Sequence, residues 1–262
     1  MGTARSGGRS ARSAQLTIEN ANDALEPLQC TPSEAERWLR SYGRRKGRKL
    51  SARQSGLLTQ GLTSQTLDIK GPLDAELARV FPEQVREVWL EIGFGAGEHL
   101  IWQAGHNPHA GIIGAEPYVN GVVAALSGLE ARNLGGRVRI HPDDAIPLLN
   151  WLPRASLSRA FVLFPDPWPK TRHRARRLFS PPLLAKLSRV LRPGAELRFA
   201  SDIADYAEAA IEHAKSHPDF ELERVFTSAN REAVPDWPIT RYEEKARKEG
   251  RVSTFVTLRR KV

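Results

Sequence analysis

Short apolar runs alternate with amphipathic segments along most of the chain, from Val88 to the C-terminus. The apolar runs predict strands over residues 88–92, 110–114, 137–140, 160–164, 196–200 and 252–258. The amphipathic segments predict helices over residues 98–104, 119–129, 146–152, 181–190 and 203–215. Strands separated by helices indicate a parallel sheet with helices on both faces. The sequence therefore predicts an α/β fold, a Rossmann-like, doubly wound, mostly parallel sheet that binds ligands at the carboxyl ends of its strands.

Residues 1–70 precede this predicted domain and differ from it in composition. The first fifteen residues are rich in Arg, Ser and Gly and contain no acidic residue. Because they offer no apolar face for an amphipathic transit-peptide helix, we expect residues 1–30 to form a disordered tail. Residues 31–70 are expected to form a basic N-terminal extension with the cluster GRRKGRK, and residues 71–262 to form the α/β domain.

The chain is strongly basic. Its 39 Lys and Arg residues exceed its 30 Asp and Glu residues by nine, and its isoelectric point is near 10. Such an excess is typical of proteins with a polyanionic partner, and the basic residues cluster at 43–49, 170–177 and 259–261. The single cysteine, Cys30, allows no internal disulfide and suits a reducing compartment, so a cytoplasmic location is expected. No apolar run approaches the roughly eighteen residues of a membrane-spanning helix, so no membrane association is expected.

A glycine-rich turn, EIGFGAG, joins the first predicted strand to the first predicted helix. Glycine lets a ligand approach the main chain closely, so Gly93, Gly95 and Gly97 are candidate cofactor-binding positions. The NAD fingerprint G-x-G-x-x-G/A would require Gly or Ala at position 98, where this chain has Glu98. Glu91 lies in an otherwise apolar strand, where a charge is costly unless a cationic or hydrogen-bonding partner accompanies it.

Two further acidic residues follow the next two predicted strands. Glu116 comes just after the second strand, where a carboxylate can accept both hydroxyls of a ribose, in NAD or in S-adenosylmethionine. Asp144 follows the third strand, where it can bind the amino group of an adenine. Together with Glu91, these acids suit a cationic sulfonium cofactor better than a pyrophosphate. S-adenosylmethionine is therefore the favoured cofactor, and a dinucleotide is the alternative.

The fourth predicted strand runs into the proline-rich loop FPDPWPK, which carries Asp166 and Trp168. Each proline fixes its own φ angle and restrains the residue before it. The loop is therefore predicted to hold Asp166 and Trp168 in extended conformations and to grip a planar base with little loss of entropy. The stretch from Asp166 to Pro169 also partly matches the D/N-P-P-Y/W loop of methyltransferases that act on exocyclic amines.

Three motifs resemble signatures of the bacterial tRNA (guanine-N7-)-methyltransferases, which are class I S-adenosylmethionine-dependent methyltransferases. The motifs are Phe164–Lys170 followed by Arg172-His173 and Arg176-Arg177-Leu178; Thr240–Lys245 followed by Gly250; and Gly43–Arg48. The proline-loop motif is highly specific. The resemblance extends from about residue 40 to the end of the chain.

This resemblance implies methylation of N7 of a guanine in tRNA, at position 46 of the variable loop, with S-adenosylmethionine as the cofactor. It assigns cofactor binding to Glu91, Glu116, Asp144 and Asp166, of which Asp166 is also the active-site residue. It assigns substrate binding to Lys170, Asp202, Thr240, Arg241, Tyr242 and Glu243. The segment matched to RNA contact is Arg172, His173, Arg174, Ala175, Arg176 and Arg177. The expected partner is tRNA, no metal or obligate protein partner is expected, and the chain is expected to be a monomer or homodimer.

The chain departs from the family pattern at two places. Glu116 is followed by Pro117 and Tyr118 instead of a more usual aliphatic residue and His, and Asp143 stands where a glycine is common. Neither change removes a functional carboxylate. Two other classes remain open: a methyltransferase acting on an exocyclic amine of a nucleic acid, and an RNA-binding protein with a vestigial cofactor pocket.

Overall fold

The computed structural model describes residues 39, 41–73, 76–233 and 236–262. The predicted disordered tail, residues 1–30, lies outside these residues. The strands are β1 (Glu87–Ile92), β2 (Ala110–Ala115), β3 (Val138–His141), β4 (Leu157–Leu163), β5 (Leu191–Ser201), β6 (Phe220–Thr227) and β7 (Thr254–Arg260). The α-helices are α1 (Ala52–Gln65), α2 (Glu98–His106), α3 (Val119–Glu130), α4 (Ala145–Trp151), α5 (Pro181–Val190), α6 (Ala204–Ser216) and α7 (Arg241–Lys248).

The strands form one sheet in the order β3-β2-β1-β4-β5-β7-β6. Strands β1 to β5 are parallel, whereas β7 is antiparallel to both β5 and β6. The predicted Rossmann-like, mostly parallel sheet is therefore confirmed. The strand order reverses between β1 and β4, and open α/β sheets bind their ligands at such a switch point.

Both faces of the sheet are covered, so the central strands are apolar along almost their whole length. Successive residues of a strand point to opposite faces. In β1, Leu90 and Ile92 pack into one core cluster and Trp89 packs into the other. Glu91 therefore points to the same face as Trp89, toward α2, and this orientation decides which partner its carboxylate meets.

Helix α1 and strand β6 are among the elements that were not predicted from the sequence. Helix α1 begins with a capping box in which Ser51 Oγ accepts a hydrogen bond from the Gln54 amide and Gln54 Oε1 accepts one from the Ser51 amide. Gly61 of α1 lies against Leu126 of α3, where a Cβ would come within 2.9 Å of the leucine side chain. Strand β6 is an edge strand of the described sheet and pairs with β7, and its outer positions are polar, which weakened the apolar signal.

The described part of the N-terminal extension packs on the sheet. Leu39 is buried in the core, and the amide of Leu67 donates to the carbonyl of Ile140 in β3. The division into residues 1–30, 31–70 and 71–262 stays a prediction. Among the described residues, no helix has the length and apolar character needed to cross a membrane.

Candidate active site

A cavity of about 370 Å³ lies at the carboxyl ends of the strands, at the switch point of the sheet. Segments that are distant in sequence enclose it: the basic N-terminal extension, the glycine turn, the strand ends that carry Glu116 and Asp144, the proline loop and the start of α7. The predicted site residues in its wall are Gly93, Gly95, Glu116, Asp144, Asp166, Arg176 and Tyr242. The topology therefore brings together most of the cofactor set predicted from the sequence.

Glu116 is fixed by main-chain donors. The amide of Gly95 donates to Glu116 Oε2 at 2.7 Å, and the amide of Tyr118 donates to Oε1 at 2.9 Å. Burial raises the pKa of the Glu116 carboxyl, although these two hydrogen bonds oppose the shift. Each oxygen keeps a lone pair, so the carboxylate can accept hydrogen bonds from a ligand in the cavity.

The glycine turn has a different function at each end. Gly95 adopts a positive φ of 58°, and a side chain there would place its Cβ 2.9 Å from the hydroxyl of Tyr242. Gly97 caps α2 with a φ of 81°, and a Cβ there would meet Ala125 of α3 at 2.7 Å. Gly95 thus lets the side chain of Tyr242 lie against the turn, while Gly97 permits close packing of two helices.

Asp144 caps helix α4 and also holds the N-terminal extension. Its Oδ1 accepts a hydrogen bond from the Ile146 amide at 3.1 Å, and its Oδ2 accepts one from the Ser41 amide. The neighbouring Asp143, one of the departures from the family pattern, forms an ion pair with Arg45. Both carboxylates therefore bind the extension as it passes the cavity.

Glu91, a buried carboxylate, is paired with His99. Its Oε2 lies 2.8 Å from Nδ1 of His99, and each side chain is only 3% exposed. The carboxylate borders a second cavity of about 20 Å³, together with Thr240 and Tyr242, and is not in the wall of the larger one. Its assignment to cofactor binding stays a prediction. His99 was missed, although its place on the inner face of α2, opposite a lone buried acid, could have identified it.

The proline loop corrects one prediction. Trp168 has a φ of 42° and Phe164 a φ of 50°, so Trp168 is not extended as expected. The Phe164 amide still donates to the carbonyl of Ala200 at 2.8 Å, but the positive φ turns the chain and ends β4 at Leu163, one residue earlier than predicted. Such strain persists only where surrounding contacts enforce it, and it concentrates at functional sites.

Asp166 is exposed to the cavity interior. The surrounding walls partly desolvate its carboxyl and raise its pKa. A side chain at position 43 would place its Cβ 3.0 Å from Asp166 Oδ2, so Gly43 of the extension lies directly beside it. This close neighbour was not predicted from the sequence.

The cationic run that follows the loop divides into two kinds of residue. Thr171–Arg176 form a 3₁₀ helix, and Lys170 and Arg172 are exposed. Arg177 is 6% exposed; its guanidinium makes two hydrogen bonds to the Asp205 carboxylate, at 3.0 and 2.9 Å, and one to the Pro167 carbonyl at 2.9 Å. Arg177 therefore braces the proline loop from inside, and its buried position does not suit the RNA contact predicted for it.

The substrate-binding candidates Thr240, Arg241 and Tyr242 lie beside the glycine turn. Thr240 caps α7 by accepting a hydrogen bond from the Glu243 amide, and the Arg241 amide donates to Glu98. Tyr242 stacks beside Phe164, with ring centroids 6.3 Å apart. Asp202 does not line either cavity and forms an ion pair with Arg251 at 2.8 Å. Tyr242 thus lines the larger cavity and Thr240 borders the smaller one, whereas Arg241 and Asp202 line neither.

Comparison with solved structures finds the same fold. The 16S rRNA methyltransferase KamB superposes with a TM-score of 0.51 at 16% identity, covering 74% of this chain and 96% of that one. The similarity supports the fold alone: that of the class I, S-adenosylmethionine-dependent methyltransferases. Among the described residues, no group of three or more His, Cys, Asp or Glu side chains is placed to hold a metal ion.

Sequence comparison identifies the family. Residues 85–256 match the methyltransferase family model Methyltransf_4. The tRNA (guanine-N(7)-)-methyltransferase of Paramagnetospirillum magneticum is 48% identical over 224 residues, which cover 85% of this chain and 93% of that protein. The enzyme of the same name from Caulobacter vibrioides is 48% identical over 218 residues, covering 82% and 92%. The chain belongs to the tRNA (guanine-N7-)-methyltransferase family.

Proposed function

We propose that this protein transfers a methyl group from S-adenosylmethionine to N7 of a guanine in tRNA, at position 46 of the variable loop, and gives 7-methylguanosine. The observation that carries the proposal is one cavity that joins Glu116, Asp144 and Asp166 and opens beside the cationic helix Thr171–Arg176. A nucleoside-binding half and an RNA-facing half thus meet at the proline loop. The working location proposed is the cytoplasm, and the monomeric or homodimeric state stays a prediction.

The cavity suits S-adenosylmethionine by size and by donor set. Cavities for cofactors and small ligands measure roughly 300–1,000 Å³, and about 370 Å³ lies within this range. When bound, S-adenosylmethionine supplies a methyl group on a positively charged sulfur. Glu116 is positioned to accept the ribose hydroxyls, Asp144 borders the adenine side, and the main chain at Gly93, where a Cβ would have no other atom within 4 Å, leaves room for close approach.

The protein's task at N7 is orientation. N7 of guanine is a hydrogen-bond acceptor with a free lone pair, so no proton has to leave before it attacks. Asp166 can hold the guanine so that N7 is in line with the methyl group, and the rigid turn that carries it limits misplacement. A carboxylate directly against the sulfur would stabilise the charged ground state more than the transition state, so we place Asp166 at the guanine edge or at the amino acid end of the cofactor.

The decisive experiment is methyl transfer to bulk tRNA, followed by digestion and mass spectrometry of the nucleosides. The proposal expects 7-methylguanosine as the product, and its loss when the target guanine is replaced by adenine. Formation of N6-methyladenosine would identify an enzyme of exocyclic amines instead. Cofactor binding without any methyl transfer to tRNA would favour an RNA-binding protein with a vestigial pocket.

Replacing Glu116 by glutamine is expected to weaken cofactor binding about ten- to a hundredfold, because a charged acceptor fixed by two amides is lost.

The cofactor affinity of the wild type should fall on acidification, since protonated Glu116 accepts fewer hydrogen bonds. Because burial raises the pKa of Glu116, this loss should begin at a higher pH than for an ordinary glutamate. Isothermal titration across pH checks both effects; Glu130→Gln, outside the cavity wall, serves as the control.

The exposed members of the cationic run are proposed to bind the RNA backbone. Replacing Lys170 and Arg172 together by alanine should weaken tRNA binding and flatten its dependence on salt, since fewer counterions are released. Cofactor affinity should stay nearly unchanged. Lys215→Ala is the control, because this lysine is also exposed but lies in the last turn of α6, outside the cationic run and outside the cavity wall. A double variant with the wild-type salt slope would show that Lys170 and Arg172 do not contact the RNA backbone.

A further inference from the structure

The N-terminal extension contributes an aromatic side chain to the active-site cavity. Tyr42 lies in the cavity wall, although it is outside the segment matched by the methyltransferase family model. The main chain holds it on both sides: the Ser41 amide donates to Asp144, and the carbonyl of Arg45 accepts from the Val119 amide at 2.9 Å. The position of this ring is therefore defined by contacts with the cofactor side of the cavity.

Tyr42 forms an aromatic corner with Trp168 of the proline loop. The two ring centroids are 6.0 Å apart, with an angle of 80° between the planes. The guanidinium carbon of Arg176 lies 5.0 Å from each ring centroid. All three side chains border the same cavity as Asp166. The strained φ of 42° at Trp168 is what places its ring in this corner.

A planar cation on two aromatic faces shows what the corner can bind. Aromatic rings stack with nucleobases and attract positive charge through their faces. Methylation at N7 turns a neutral guanine into a cationic one, so rings in contact with the base would favour the methylated product and the transition state over the substrate. Arg176 has a long side chain that can exchange the rings for an RNA phosphate.

We propose that Tyr42 and Trp168 form the stacking site for the target guanine, and that the guanidinium of Arg176 occupies their faces until RNA binds. This inference rests on the proposed function and adds a residue of the N-terminal extension to the substrate site. Stacking places N7 opposite the methyl group after the tRNA has bound through its backbone. Loss of a ring should therefore lower the rate of methyl transfer more than it lowers affinity for tRNA.

The test compares Tyr42→Leu with Tyr42→Phe, which keeps the ring and lacks only the hydroxyl. At saturating cofactor, Tyr42→Leu should lower the single-turnover rate about ten- to a hundredfold, since base stacking on one ring is worth about this much. Tyr42→Phe should restore most of that loss. Cofactor affinity and the thermal midpoint should match the wild type in both variants, which shows that the extension remains in place.

A second measurement reports on the base directly. A tRNA carrying 2-aminopurine at the target position should fluoresce more strongly when bound to a Tyr42→Leu, Trp168→Leu double variant than when bound to the wild type, because the quenching rings are gone. Equal fluorescence, or a Tyr42→Leu rate equal to that of the wild type, would overturn the stacking site. So would a tenfold or greater loss of cofactor affinity in Tyr42→Leu, since the ring would then belong to the cofactor. A wild-type enzyme that forms no 7-methylguanosine would overturn the proposed function itself, and the stacking site with it.

Discussion

Asp166→Ala is expected to lose about a hundredfold or more in kcat at saturating cofactor and tRNA, because misplacement of reacting groups by about 1 Å can cost that much. The side chain is exposed to the cavity, so its removal creates no unpaired buried group and the fold should survive. Single-turnover methylation, with cofactor affinity measured separately, checks the effect. A variant that keeps its rate but binds cofactor weakly would place Asp166 in cofactor binding alone.

The pH dependence tests whether Asp166 orients or removes a proton. If it orients, the single-turnover rate should be level from neutral to weakly basic pH, since N7 has no proton to lose. The rate should fall on the acid side as Asp166 becomes protonated, and at a higher pH than for an ordinary aspartate, because desolvation raises its pKa. A rate rising tenfold per pH unit through neutrality, and lost in Asp166→Asn, would instead identify a general base.

Much of the framework could be predicted from the sequence because its signals are local. Runs of apolar residues that are buried on both faces mark the parallel strands, and the acids Glu116 and Asp144 mark two of their ends. In a parallel sheet, consecutive strand ends converge on one edge. The positions of Glu116 and Asp144 along the chain therefore indicate that the two acids lie close together, and in the structure both line the same cavity.

The missed features depend on contacts between distant segments. Nothing near Ser41 in the sequence indicates that its amide would bind Asp144, or that Gly43 would lie beside Asp166. Glu91 and His99 pair because β1 and α2 pack with these two residues facing each other. The sequence alone does not show which faces of the two elements meet. Asp143 departs from the family pattern without removing a functional carboxylate, and only the structure shows that it forms the ion pair that helps hold the extension.

Trp168 shows why a local rule failed in a functional loop. A residue before proline normally adopts an extended conformation, which was the basis of the prediction. The ring of Trp168 contacts Tyr42, Arg176 and His173, and the backbone at Trp168 adopts the left-handed conformation. Tertiary contacts can outweigh a local preference of about 1–3 kcal/mol.

Arg177→Ala should destabilise the fold and slow methyl transfer, in contrast to the loss of an exposed arginine from the same run. Removing one member of a buried ion pair costs about 3–5 kcal/mol, but Asp205 is 40% exposed and can regain water, so we expect roughly 2–3 kcal/mol. Arg177→Lys keeps the charge but not the fork that spans Asp205 and the Pro167 carbonyl, so it should recover only part of the loss. With Pro167 released, the loop no longer fixes Asp166 and kcat should fall.

Denaturant unfolding and the salt slope of tRNA binding separate the two kinds of arginine. Arg172→Ala should change the salt slope and leave the free energy of unfolding unchanged, and Arg177→Ala should do the reverse. A stable Arg177→Ala protein with a flattened salt slope would return this residue to the RNA-binding surface.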